Sequence, residues 1–217
     1  AQQYISIAKS RIFTLDVETG TLTEINPDEE IAYNGLFLLA DGSVLTSTDK
    51  DSEFKNLVRL DPVTGEMTSY TDAISWDVED YALSPDESLV AFTVNEGGLG
   101  SIKLLDLASG MIIDGPKLPV GIASGLVFDD AGENVGFTFV GATSPADAYS
   151  FDVDTLEVTR WTQAEVGGLD TGSFVAPDFF DFPNADGMDI PAFVYKPEAA
   201  VPHPVIISIH GGPEAQS

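Results

Sequence analysis

The sequence predicts an all-β fold built from short strands that repeat about every 45 residues. Three observations predict it. A hexapeptide with turn chemistry occurs four times, a second turn motif occurs three times with nearly the same spacing, and no segment keeps a helical period of about 3.6 residues. The repeating unit is therefore a group of strands joined by tight turns.

The first repeated motif places an aspartate at a regular position. The hexapeptide LDVETG at residues 15–20 recurs as LDPVTG at 60–65 and LDLASG at 105–110, and in altered form as FDVDTL at 151–156. Its aspartates, Asp16, Asp61, Asp106 and Asp152, lie 45, 45 and 46 residues apart. An aspartate that accepts backbone N–H groups, followed by a glycine that tolerates positive φ, is typical of a hairpin turn.

The second motif runs in parallel with the first. ADGS at 40–43 corresponds to PDES at 85–88 and to DAGE at 130–133, so that Asp41, Asp86 and Asp130 lie 45 and 44 residues apart. These aspartates are predicted to be turn residues rather than ligands.

The segments between the turns are apolar or alternating, as strands are. One period contains four of them, at 36–39, 43–46, 57–60 and 67–70, and later periods contain corresponding segments at 89–94, 102–105, 135–139 and 148–151. Four short strands every 45 residues predict β-propeller blades. Residues 1–176 would hold about three and a half blades. Since an open ring exposes blade faces and strand edges, further blades are expected upstream, with homo-oligomerisation as the alternative.

Charge and composition exclude several classes of function. The chain has 36 acidic and 9 basic residues and a net charge of −27, so nucleic acid and anionic membrane surfaces are not expected as partners. The absence of cysteine excludes disulfides, thiolate metal sites and a cysteine nucleophile. The acidic segment 49–53 lacks the glycine and distal glutamate of a calcium loop. No cofactor or metal is predicted.

The repeat ends near Trp161, and residues 177–217 are predicted to begin a second domain. Two strands are expected around Asp186-Gly187, followed by a proline-rich loop that contains His203 and an apolar strand at 205–209. That strand leads into His210-Gly211-Gly212-Pro213, and a strand that ends in His-Gly-Gly is typical of the oxyanion loop of an α/β hydrolase. His210, Gly211 and Gly212 are therefore the candidate oxyanion-hole residues.

The segment from Trp161 to Gln216 resembles the junction between propeller and hydrolase in the prolyl oligopeptidase family of serine peptidases, closest to its acylaminoacyl-peptidase-like branch. The matching motifs are GGLD at 167–170, DG at 186–187, IPA at 190–192, YKP at 195–197 and HGGPE at 210–214. The resemblance implies peptide substrates, a propeller that gates access to the active site, and a Ser-Asp-His triad. The triad is absent from these 217 residues, which contain no Gly-x-Ser-x-Gly and only two histidines. The chain alone is therefore expected to be inactive.

Two other functions fit the same residues. An esterase would use the same oxyanion loop, and a non-catalytic propeller would serve as a binding or scaffold module. Loops such as 46–55 or 97–101 are candidates for substrate contact, whereas Arg59 and Arg160 are expected to be surface residues. Both a cytoplasmic and a periplasmic location remain open.

Overall fold

A computed structural model describes residues 1–26, 29–197 and 202–209. In this part of the chain the strands form five antiparallel sheets, and the helical content is a single 3₁₀ turn at Thr171–Ser173. No helix here is both long and apolar enough to cross a membrane. The prediction of an all-β fold is confirmed.

Four sheets follow one another along the chain, and each is a simple up-and-down meander. Sheet one contains β1 (Gln2–Ser6), β2 (Lys9–Leu15) and β3 (Leu22–Glu24). Sheet two contains β4 (Tyr33–Leu38), β5 (Val44–Thr48), β6 (Asn56–Leu60) and β7 (Met67–Ser69). Sheet three contains β8 (Val78–Leu83), β9 (Leu89–Glu96), β10 (Leu99–Asp106) and β11 (Ile112–Asp114). Sheet four contains β12 (Gly121–Phe128), β13 (Asn134–Gly141), β14 (Ser144–Asp152) and β15 (Val158–Arg160). Three four-stranded units and one three-stranded unit make a partial β-propeller.

The hexapeptide turns form as predicted. Asp16 Oδ1 accepts the N–H groups of Glu18 at 3.0 Å and Thr19 at 2.9 Å, and Asp61, Asp106 and Asp152 accept backbone N–H groups in the same way. These hydrogen bonds favour the charged carboxylate, so the pKa of each of the four aspartates lies below its ordinary value. In the altered fourth copy Leu156 adopts φ +58°, where the other copies have glycine.

The second motif forms too, but the predicted alignment of its third copy is wrong by one residue. Asp41 and Asp86 accept backbone N–H groups within their turns, whereas in sheet four Asp129, not Asp130, accepts those of Glu133 and Asn134. The residues with positive φ, Gly42, Glu87 and Gly132, show the true spacing of 45. The residue directly before the positive φ is therefore Ala131 in the third copy, where the first two copies have Asp41 and Asp86. Asp129 corresponds to Leu39 and Ser84, whose carbonyl groups accept the same turn hydrogen bond, and its carboxylate takes over the bonding within the turn.

The sheets pack face to face in chain order, and a separate apolar cluster lies at each junction. The largest joins sheets three and four and includes Leu104, Phe137 and Phe151, all at most 4% exposed. The cluster between sheets two and three includes Leu57 and Phe92, and the smallest, between sheets one and two, has Ile12, Tyr33 and Leu60 as its buried members.

Hydrogen bonds also cross between neighbouring sheets. Asp80 Oδ2 in β8 accepts the N–H groups of Gly125 at 2.7 Å and Leu126 at 3.0 Å, at an irregularity in β12. Tyr81 Oη donates to the carbonyl of Asn34 at 2.7 Å across the preceding junction. Sheets two and three, and sheets three and four, are thus bonded through residues about one repeat apart.

The fifth sheet is the hairpin predicted around Asp186-Gly187. It pairs β16 (Asp178–Pro183) with β17 (Asp189–Val194), and Asn184 Oδ1 accepts the N–H groups of Asp186 and Met188 in its turn. The strand predicted at 205–209 is not formed within the described residues. Its apolar side chains there, at positions 205, 206, 207 and 209, are 81–93% exposed. A strand is defined by its ladder of hydrogen bonds, and no described segment lies beside this one to supply them.

Candidate functional site

The predicted oxyanion-hole residues His210, Gly211 and Gly212 lie outside the described residues. The structure describes what leads up to them, namely the β16–β17 hairpin and residues 202–209. His203, expected to be an exposed loop residue, is half-buried. The oxyanion role of His210, Gly211 and Gly212 stays a prediction.

The hairpin is held against the propeller by the tip of the β9–β10 turn. A Cβ added to Gly97 would lie 3.5 Å from Trp76 and 3.6 Å from both Phe179 and Pro191. A Cβ added to Gly98 would lie only 2.8 Å from Cε2 of Phe193. The turn has glycine at both positions, with φ +67° and +98°, so backbone and aromatic rings meet at van der Waals distance. The segment 97–101, a candidate for substrate contact from sequence, begins at this junction.

The aromatic side chains of the hairpin support that contact. Phe179 and Phe193 face each other across the two strands, with ring centroids 5.4 Å apart. Such cross-strand aromatic pairs stabilise a two-stranded sheet, which is only marginally stable alone. Lys196, two residues beyond β17, pairs with Asp178 at 2.6 Å and closes the open end of the hairpin. The chain that leads to residues 202–209 thus leaves the propeller from a defined position.

Arg160 is part of a polar cluster at the end of the propeller. Its guanidinium forms an ion pair with Asp147, whose side chain is 1% exposed, and its Nε donates to the carbonyl of Thr162 at 2.9 Å. Thr162 Oγ1 donates to the other oxygen of Asp147 at 2.6 Å. The hydrogen bond from Thr162 and the ion pair with Arg160 hold the pKa of Asp147 below its ordinary value. This cluster fixes the connector that begins at Trp161 against β14.

Arg59 also has a structural role. It pairs with Asp41 and its Nε donates to Ser43 Oγ at 2.8 Å, which braces the β4–β5 turn. The pKa of Asp41 falls to about 2, chiefly through the hydroxyl and N–H of Ser43 and also through Arg59. No group of three or more potential ligands suited to a metal ion occurs among residues 1–26, 29–197 and 202–209.

The fold of this chain is found in several solved structures. Puromycin hydrolase matches with 20% identity and a TM-score of 0.71 over 86% of this chain and 29% of its own. Prolyl oligopeptidase B from Galerina marginata matches with 15% identity and a TM-score of 0.71 over 87% of this chain and 28% of its own. TolB from Acinetobacter baumannii matches with 16% identity and a TM-score of 0.58 over 86% of this chain and 46% of its own.

At these identities the likeness shows the fold, which is the β-propeller fold that peptidases of the prolyl oligopeptidase family share. The chain spans less than a third of the length of the two peptidases described above. No protein-family model and no curated protein sequence matches the chain.

Proposed function

We propose that this chain is part of a serine peptidase of the prolyl oligopeptidase family that hydrolyses short peptides. The observation that carries the proposal is His210-Gly211-Gly212-Pro213, directly after the apolar run 205–209 and downstream of a propeller. The resemblance at residues 161–216 implies the same order along the chain, a propeller followed by a catalytic domain. The similarity to puromycin hydrolase and to prolyl oligopeptidase B supports an amide-hydrolysing parent.

In the proposed reaction the glycine loop binds negative charge. A serine outside these 217 residues transfers its hydroxyl proton to the histidine of the triad and attacks the peptide carbonyl carbon. The C=O π bond breaks as the new C–O bond forms, and its electron pair makes the carbonyl oxygen an oxyanion. The N–H of Gly212 donates one hydrogen bond to this oxygen, and the N–H that follows the serine donates the second. An N–H fixed in position before the reaction stabilises the transition state more than the substrate, which is why such a donor accelerates the step.

The propeller and the hairpin have supporting roles in this proposal. The propeller limits access to the active site, so that short peptides enter and folded proteins do not. The contact of Gly97 and Gly98 with the hairpin holds the start of the catalytic domain at a fixed place on the propeller. The 217 residues alone contain neither nucleophile nor catalytic base, so we expect them to show no peptidase activity and no fluorophosphonate labelling.

The test uses the full protein that contains this chain. We expect serine-directed fluorophosphonate labelling and cleavage of short peptide anilides. Gly212→Pro removes the N–H and should lower kcat by on the order of 10²–10³, whereas Gly212→Ala keeps the N–H and should cost much less. Absence of labelling in the wild-type protein would overturn the peptidase assignment. Equal losses in the two variants would overturn the role of the Gly212 N–H alone.

Two other activities are distinguished by the same assay. The oxyanion loop suits both esters and amides, so the loop alone does not distinguish an esterase from a peptidase. An esterase would cleave aryl esters but not the matched anilides. The second candidate is a binding or scaffold propeller, since the same fold also occurs in TolB. That candidate predicts no labelling and no hydrolysis of either substrate.

A further inference from the structure

A groove with unusual charge lies on sheet four. It has a volume of about 350 Å³ and is formed by the segment between β11 and β12, the β13–β14 turn, β15 and the connector. Tyr149 supplies aromatic surface, with the 4% exposed Phe139 behind it, Leu118 is also part of the wall, and Lys117, Arg160 and Thr171 contribute polar groups. Sites of about 300–1,000 Å³ with apolar walls and a few polar groups are typical of small-ligand binding.

The charge of this groove is opposite to that of the protein. The chain has 36 acidic residues, yet none of the twelve lining residues is acidic, and two of the nine basic residues are among them. A random patch of this surface would carry net negative charge. A groove whose lining contains basic residues and no acidic residue is therefore complementary to an anionic ligand.

The two cations differ in whether a carboxylate already compensates their charge. Arg160 is neutralised by Asp147, and it lies 5.8 Å from the ring centroid of Tyr149, so it mainly shapes the groove. Lys117 forms none of the ion pairs found among the described residues, whereas seven of the other basic side chains each pair with a carboxylate there. The net positive charge of the groove therefore resides on the Lys117 ammonium.

We propose that this groove binds a ligand in which a carboxylate lies next to one apolar or aromatic group. The Lys117 ammonium pairs with the carboxylate, and the apolar group lies on Tyr149 and Leu118. A volume near the lower end of the range for ligand sites fits one such group rather than an extended chain. The ligand is either a free small acid or the C-terminal residue of a peptide, since both present the same chemistry. This proposal does not depend on peptidase activity.

The test is calorimetric titration of the full chain at pH 7 and about 0.15 M salt, where long-range repulsion by the acidic surface is screened beyond about 8 Å. The probes are 3-phenylpropionate, its neutral amide, and the peptide Ala-Ala-Ala-Phe with a free or an amidated C-terminus. We expect each acid to bind about tenfold or more tightly than its amide, because only the acid forms a charge-assisted hydrogen bond. Binding of the small acid alone indicates a free acid as ligand, and tighter binding of the peptide acid indicates a peptide C-terminus.

Variants of Lys117 make the test specific. Lys117→Gln should weaken binding of the acids about tenfold and leave the amides unchanged, and Lys117→Arg should restore most of the affinity. Lys117 is exposed, so neither change should affect folding. Lys9→Gln, which removes the other basic side chain that forms no ion pair with a described residue, is the control for net charge. The proposal is overturned if no probe binds saturably, if acid and amide bind equally, or if Lys117→Gln and Lys9→Gln have the same effect.

Discussion

The contact between Gly98 and Phe193 allows a sharp test of how the hairpin is attached to the propeller. We compare Gly98→Ala with Gly20→Ala. Both glycines have positive φ, +98° and +73°, so an alanine at either position is strained by about 1–2 kcal/mol. Their surroundings differ, because a Cβ at Gly20 meets nothing within 4 Å, whereas one at Gly98 lies 2.8 Å from the Phe193 ring.

Both variants should therefore lower the free energy of unfolding of the propeller by a similar amount, but only Gly98→Ala should loosen the hairpin. Forcing the Phe193 ring away costs about 2 kcal/mol, a typical value for overpacking. Because the hairpin can separate from the turn locally, this cost should appear as faster opening of β16 and β17, by about 30-fold. Hydrogen exchange of the amides in residues 178–194 measures it, and urea unfolding measures the propeller.

A double-mutant cycle with Phe193→Ala isolates the contact. Phe193→Ala should itself speed hairpin exchange, and Gly98→Ala added to it should have little further effect on the hairpin, since the ring that the methyl group meets is gone. If hairpin exchange is the same in Gly98→Ala and Gly20→Ala, the hairpin is not held by this contact and the reasoning fails.

Two further predictions concern the turns and junctions of the propeller. Asp80→Ala removes the acceptor of the Gly125 and Leu126 N–H groups and should lower the free energy of unfolding by about 2 kcal/mol. Asp80→Asn keeps an oxygen acceptor and should lower it by less than about 1 kcal/mol. Equal losses of the two variants in urea unfolding would contradict this. Acid should also destabilise the fold. The pKa of Asp41 and of the hexapeptide aspartates is lower in the folded state than the ordinary value of 3.8, so their stabilisation is complete above about pH 4 and is lost as the pH falls towards 2. Urea midpoints measured from pH 6 to pH 2 should decline below pH 4, and a midpoint that stays constant or rises there would refute the assignment.

The sequence predicts the repeat because turns demand particular residue types. Asp16 and Asp61 are recognisable since few side chains can accept two successive backbone N–H groups. The same rule is less informative where another residue occupies the strained position. Leu156 and Glu87 adopt positive φ without the glycine that would have predicted it, and both have compensating contacts. Leu156 packs on the cluster between sheets three and four, and Glu87 accepts the N–H of Ala40 at 2.9 Å.

The attachment of the hairpin could not have been predicted from local pattern. Gly98 and Phe193 are far apart in sequence, and a glycine pair at a turn gives no sign of which ring will lie against it. The run 205–209 shows a second limit of prediction from local pattern, because here a predicted strand is not formed. Its composition is that of a buried strand, but composition does not supply a neighbouring strand, and the described residues contain none beside it. The charge of the groove on sheet four likewise depends on where acidic side chains are absent, which only the fold reveals.

The way the sheets are joined determines the order in which parts of this propeller unfold. Each sheet contacts its neighbours through its own cluster and its own hydrogen bonds, such as those from Asp80 and Tyr81, so stability is a sum of nearest-neighbour terms, as in a one-dimensional array. The terms are unequal, because the junction of sheets one and two has three buried members and that of sheets three and four has eleven. The junction of sheets one and two should therefore open before the junction of sheets three and four.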